Sequence, residues 1–114
     1  MTLTTTQLSE TFAALGDPTR LAIVARLAEG DATVKELAEP FAVSLPAISR
    51  HLKVLEHAGL ITRGRAAQSR PSRLRVEALS EAMTWMDARR KLWEGRMDRL
   101  DRHLKTIQQE GPST

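Results

Sequence analysis

Between Ser44 and Val76 the chain carries Arg50, Lys53, Arg63, Arg65, Arg70, Arg73 and Arg75 against a single acid, Glu56. Cationic side chains gathered in this way suit a polyanion. Each can neutralise a phosphate, and an arginine can also grip a guanine edge with two parallel hydrogen bonds. Elsewhere the chain has ten basic and thirteen acidic residues, so a formal charge of +3 conceals +6 on this segment and −3 on the remainder. Such polarity favours one face for nucleic acid. Other chemistries find little support. There is no cysteine, which removes disulfides, thiolate metal sites and thiol nucleophiles. Three separated histidines and no glycine-rich phosphate loop offer no nucleophile–base pair, so neither an enzyme nor a bound cofactor is expected. Two Trp, two Phe and no Tyr are too few rings for a single-strand stacking platform.

The elements that must hold these cations can be read from caps and periodicity. The first six residues are polar and threonine-rich and are expected to fray. Leu8, Phe12 and Leu15 then mark one face of a helix ended by Gly16. Asp17 and Pro18 supply an N-cap and a first-turn proline for a helix over 19–29, with Leu21, Val24, Leu27 and Ala28 expected inward. Thr33 and Glu36 form a capping box for a short helix with Val34, Leu37, Ala38 and Phe41 on its buried side, and Pro40 shortens it. After a turn at Ala42-Val43, Ser44 caps a helix reaching residue 57 or 58, with Ile48, Leu52 and Leu55 inward and Gly59 just beyond its end.

Two helices joined by so short a turn, the second capped and basic, form a helix-turn-helix pattern over 33–58. The strand-like 60–63 and the alternating 72–76 enclose a polar, arginine-bearing tip, which makes 60–76 a wing. With the apolar stripe turned inward, Leu45, Pro46, Ser49, Arg50 and Lys53 face out near the helix start, where residues reach base edges in the major groove. Arg50 is the expected guanine reader, and Ser49 is suited to a base or a phosphate. His51 and Lys53 are expected at the DNA backbone, and Ser44 with the free N–H groups of the helix start can hold a phosphate. On the wing, Arg63, Arg65, Gln68, Arg70 and Arg73 complete the expected contact set. Arg65 and Arg70 flank the tip and suit a narrow minor groove or its phosphates, and one of Arg73 and Arg75 is expected to be structural.

From 77 to 108 runs the longest expected helix. Leu79, Met83, Met86, Arg90, Trp93, Met97, Leu100, Leu104 and Ile107 alternate spacings of four and three, a heptad seam interrupted at Arg90. About four heptads exceed what a small domain needs to cover itself, so the seam reads as a subunit interface. For Arg90 the sequence leaves two readings open, pairing with Asp87 or Glu94 across a two-fold axis or a place where the helices splay; Trp85 and Leu92 are expected to lie against the helix's own domain.

The stretches DPTRLAIVARL, VKELAEPFAVSLPAISRHLKVLEHAGLI and RPSRLRVEAL together resemble the ArsR-type winged helix-turn-helix repressors of bacteria and archaea, over roughly Phe12 to Leu104. The resemblance implies a mainly α fold in the order α-α-α-α-β-β-α. It also implies a homodimer joined by the first helix, through Leu8 and Phe12, and the last, and repression by blocking a promoter. Ser44, Leu45, Pro46, Ser49 and Arg50 match that family's DNA-contacting helix, and 64–71 match its wing. The chain departs from the family's metal sensors. The position of their cysteine box reads Glu36-Leu37-Ala38-Glu39-Pro40-Phe41, without a thiol. Near the last helix, Asp87, Asp98, Asp101, His103 and Glu110 include one imidazole, a weak transition-metal set, and are expected instead to pair with Arg89, Arg99 and Arg102.

The expectation is therefore a single domain over 1–114, with a long C-terminal dimerisation helix. It acts as a dimeric, sequence-specific binder of double-stranded DNA, a repressor reading an inverted repeat. A small-molecule effector is left open and no metal is assigned. The alternatives are a winged-helix interaction module without DNA binding and a metal-responsive repressor. No apolar run is long enough to span a bilayer and no secretory signal is evident, so a cytoplasmic location without membrane partners is expected.

Overall fold

The computed structural model describes residues 4–64 and 71–110. They form α1 (Thr5–Leu15), α2 (Pro18–Glu29), α3 (Val34–Ala38), α4 (Leu45–His57), β1 (Ile61–Arg63), β2 (Ser72–Leu74) and α5 (Val76–Glu110). This is the expected winged helix-turn-helix order. The chain divides into two compact units between Ala82 and Met83, so α5 begins in the first unit and makes up the second.

Helix starts follow the caps written in the sequence. Asp17 accepts from the Arg20 N–H at 3.0 Å, with Pro18 opening α2. Thr33 and Glu36 exchange backbone-to-side-chain bonds of 3.2 and 3.1 Å at the start of α3. The N-terminus corrects the expectation of fraying through residue 6. Thr4 and Gln7 form a capping box, with bonds of 3.1 and 2.8 Å, and α1 begins at Thr5. Threonine-rich composition suggested a tail, but the Thr-x-x-Gln spacing satisfies two helix-end N–H groups reciprocally.

The core of the first unit joins Ile23, Leu37, Ile48, Leu52, Leu55, Leu60 and Ile61, all fully buried. On α2 the buried face is Ile23, Val24 and Leu27, whereas Leu21 is 54% exposed and Ala28 also faces out. The sequence reading was therefore out of phase here. Arg20 occupies the start of the inward row (20, 23, 24, 27), and a charge at that position hides the stripe from a count of apolar residues. On α1, Thr11 and Ala14 are buried and Leu8, Phe12 and Leu15 are partly so. The Thr11 hydroxyl is satisfied by donating to the Gln7 carbonyl at 3.0 Å.

The end of α4 sets the direction of the wing. Gly59 takes φ +78°, a left-handed conformation natural to glycine. Its N–H donates to the Glu56 carbonyl, and the Leu60 N–H reaches back to the Leu55 carbonyl, both at 3.0 Å. These two bonds make a Schellman motif, and its two apolar positions, Leu55 and Leu60, are both fully buried. β1 and β2 then pair antiparallel in the register Ile61–Leu74, Thr62–Arg73 and Arg63–Ser72. The second strand stops at Leu74, shorter than expected. Ala32, ahead of α3, adds a bridge to Ser72 through bonds of 3.2 and 2.8 Å, tying the helical layer to the hairpin.

Candidate nucleic-acid interface

Ser44 has extended backbone, and its hydroxyl accepts from the Ala47 N–H at 3.3 Å, capping α4. Pro46 lies in the first turn, where no backbone N–H is needed. Ile48, Leu52 and Leu55 are completely buried, which fixes the rotation of the helix. The opposite face then presents Leu45, Pro46, Arg50 and Lys53 to solvent, with Ser49 partly buried at its margin. Neither Arg50 nor Lys53 has a hydrogen-bond or ion-pair partner among the described residues. A fixed helix thus holds two unneutralised cations one turn apart, a form that fits a major groove.

His51 departs from its expected place at the DNA backbone. Its Nδ1 lies 3.3 Å from an Arg20 guanidinium nitrogen and 3.8 Å from the Asp17 carboxylate, facing the junction of α1 and α2. Arg20 was not singled out from the sequence, yet it bridges three elements. Its Nε donates to the Ala14 carbonyl at 2.7 Å and a terminal nitrogen to the Ala13 carbonyl at 3.3 Å. These carbonyls close α1, where the negative end of the helix dipole favours a cation. The Arg20 N–H bonded to Asp17 holds that carboxyl below the usual carboxylate range, with the charge of Arg20 acting in the same direction. The only local signal for this cluster was the short spacing of Asp17 and Arg20.

On the wing, Arg63 is partly buried and Arg73 exposed. Arg73, one of the expected DNA contacts, meets Asp31 at 3.1 Å and so has a counter-charge within the chain. The acid-free appearance of the hairpin was a property of the linear sequence, since Asp31 arrives from the α2–α3 connection. Arg75 lines a cleft of about 490 Å³ with His57, Glu10, Glu77 and Glu81. Arg65, Gln68 and Arg70 lie outside the described residues.

In the second unit, Met83, Met86, Trp93, Met97, Leu100, Leu104 and Ile107 are 46–63% exposed. Trp85 and Leu92, expected against the helix's own domain, are exposed as well, and Arg89 stacks over the Trp85 ring at 4.7 Å. Arg90 bonds Asp87 within its own helix and approaches Glu94 at 3.9 Å, so both carboxylates expected across a two-fold have intrahelical cationic neighbours. Asp87 also binds Lys91 at 3.2 Å, and Asp101 binds Lys105 at 3.1 Å, in place of the expected Arg89, Arg99 and Arg102. The Lys91 bond, with the charges of Lys91 and Arg90, lowers the Asp87 carboxyl below its usual range. Among the described residues no group of three or more His, Asp or Glu could hold a metal ion, and no helix is long and apolar enough to cross a membrane.

Comparison with known proteins bears on this geometry. A family profile described as a helix-turn-helix domain matches residues 15–64. The chain is 40% identical to the HTH-type transcriptional regulator Rv2034 of Mycobacterium tuberculosis over 101 residues, 89% of each chain. It is 37% identical to the transcriptional repressor SdpR of Bacillus subtilis over 79 residues, covering 69% of this chain and 88% of that one. Among solved structures, it resembles the crystal structure of an ArsR family transcriptional regulator with TM-score 0.73 and 38% identity, over 82% of this chain and 97% of the other. A solution structure from Mycobacterium bovis, described as a homodimeric winged helix-turn-helix DNA-binding domain, aligns with TM-score 0.58 and 26% identity, over 72% of this chain and 78% of that one.

Proposed function

The chain belongs to the ArsR family of winged helix-turn-helix transcriptional regulators, and from that premise we propose that it is a homodimeric repressor reading an inverted-repeat operator. The observation that carries the reading is the outward face of α4, where Arg50 and Lys53 stand unpaired among the described residues on a helix whose other side is wholly buried. Arg50 takes the base-reading role, contacting guanine in the major groove. Lys53, Ser49 and the Ser44-capped helix start meet phosphates, with Leu45 and Pro46 in van der Waals contact at the groove. Arg63 supports the wing side, and Arg65, Gln68 and Arg70 supply its tip. His51 and Arg73 leave the contact set, because their polar atoms already face Arg20 and Asp31.

The seam of α5 supports pairing of two chains, since exposed Met, Trp, Leu and Ile at heptad spacing gain most by burial against a second copy. Leu8 and Phe12 of α1, both only partly buried, are the first unit's proposed share of the dimer contact. A two-fold dimer presents two copies of α4 about one DNA turn, roughly 34 Å, apart, and so calls for an inverted repeat. The test is selection of duplexes from a random pool, then titration of the selected duplex. Arg50→Ala lowers affinity for it about tenfold or more at unchanged dimer mass, the loss of one bidentate base contact. Equal affinity for wild type and variant removes the base-reading assignment.

A further inference from the structure

Arg20 donates through every side-chain contact it makes. A guanidinium has no acceptor, so the 3.3 Å approach of the His51 Nδ1 is a hydrogen bond only in the tautomer that carries its proton on Nε2. The same guanidinium holds the Ala13 and Ala14 carbonyls, so the last turn of α1 is tied to the middle of α4 through one side chain. His51 is the immediate neighbour of Arg50 in the sequence and lies on the inner side of the helix. The charged groups facing it from packed elements, among the described residues, are Arg20 and Asp17.

Granting that α4 reads DNA as proposed above, the geometry points to Arg20 and His51 as positioning residues that set the orientation of the recognition helix, and to their contact as one that a single proton breaks. Protonated Nδ1 becomes a donor facing a donor, with two cations side by side. Asp17, 3.8 Å away, is the acceptor then within reach, so the imidazole exchanges the guanidinium for the carboxylate. That exchange competes with the Arg20 N–H for the Asp17 oxygen that caps α2, and it frees the guanidinium from α4. Sequence-specific binding therefore weakens on acidification. Affinity for random duplex, which depends on phosphate neutralisation alone, does not fall.

The experiment titrates the full-length protein with its selected duplex and with a random duplex, between about pH 8 and about pH 6, where imidazoles change charge. Wild type is expected to lose about tenfold in affinity for the selected duplex across this range, the equivalent of one charge-assisted hydrogen bond. His51→Asn places an amide oxygen near the Nδ1 position and cannot be protonated, so it flattens the profile. His51→Leu and Arg20→Ala bind weakly at every pH, with circular dichroism reporting whether each is folded. A flat wild-type profile, a pH profile kept by His51→Asn, or equal loss on random duplex overturns the inference while leaving the DNA-reading assignment intact. Failure to select any duplex overturns both.

Discussion

Asp17, Glu36 and Asp87 are the carboxylates whose surroundings most clearly favour the charged form. Asp17 is held by the Arg20 N–H, Glu36 by the Thr33 N–H and hydroxyl, and Asp87 by Lys91 with Arg90. All three lie below their ordinary values of 3.8 for Asp and 4.5 for Glu. The unfolded chain therefore binds protons more readily than the folded one at these sites, and their contribution is complete above the ordinary values. It disappears as pH falls through the lowered folded values. Thermal midpoints should thus be level near neutrality and decline in acid below about pH 5. Asp17→Asn retains a capping oxygen without a titrating charge, so its acid decline should be shallower than that of wild type. A parallel decline would show that the Asp17 cap contributes nothing to acid sensitivity.

The helices divide their labour between fixing an orientation and exposing a face. In α4 the buried row of Ile48, Leu52 and Leu55 decides which residues look outward, and the Schellman ending at Gly59 decides where β1 departs. Leu52→Ala opens a cavity in the middle of that row and should cost about 2–5 kcal/mol in chemical denaturation. A loss below about 1 kcal/mol would mean that the neighbouring core collapses onto the gap. α3 is a single capped turn and a half, bounded by Thr33 and by the Glu39-Pro40 step. Its brevity suits the role of packing against α4 rather than carrying a surface of its own. α5 differs in kind. Over 35 residues, about 52 Å at 1.5 Å each, it keeps apolar side chains in register, and among the described residues it is the one element of the second unit.

At the scale of the whole molecule, the two proposed surfaces belong to different compact units. The cations of α4 and the wing serve the proposed DNA face, and the seam of α5 serves the proposed partner. Placing a charge in the seam separates the two: Leu100→Asp should shift the molar mass in light scattering from dimer to monomer, while circular dichroism of the helices persists. An unchanged dimer mass would locate the interface elsewhere. Association with the selected duplex should also be strongly salt-dependent. With about six phosphates neutralised by a dimer, affinity should fall about a thousandfold between roughly 50 and 200 mM salt. A shallow slope would mean that Lys53 and the wing arginines are not at the backbone. Arg73, already neutralised by Asp31, should contribute little to it, which Arg73→Gln can check.

Amino-acid order was sufficient to locate the caps at Asp17, Thr33 and Ser44, the buried stripe of α4, the glycine that turns the chain at 59, and the heptad seam of α5. Those signals are local, carried by residues within one or two turns of one another. It was sufficient also for the resemblance on which the family was first suggested. It failed where partners are distant along the chain. Arg20 and His51 are 31 positions apart, and Asp31 and Arg73 are 42 apart. No periodicity announces such pairs, and folding alone made an inward ligand of His51, gave Arg73 a carboxylate, and turned Leu21 out while Ile23 went in. A cation counted in sequence is available to DNA only if the folded chain has not already supplied its counter-charge, and that depends on which distant segments packing brings together.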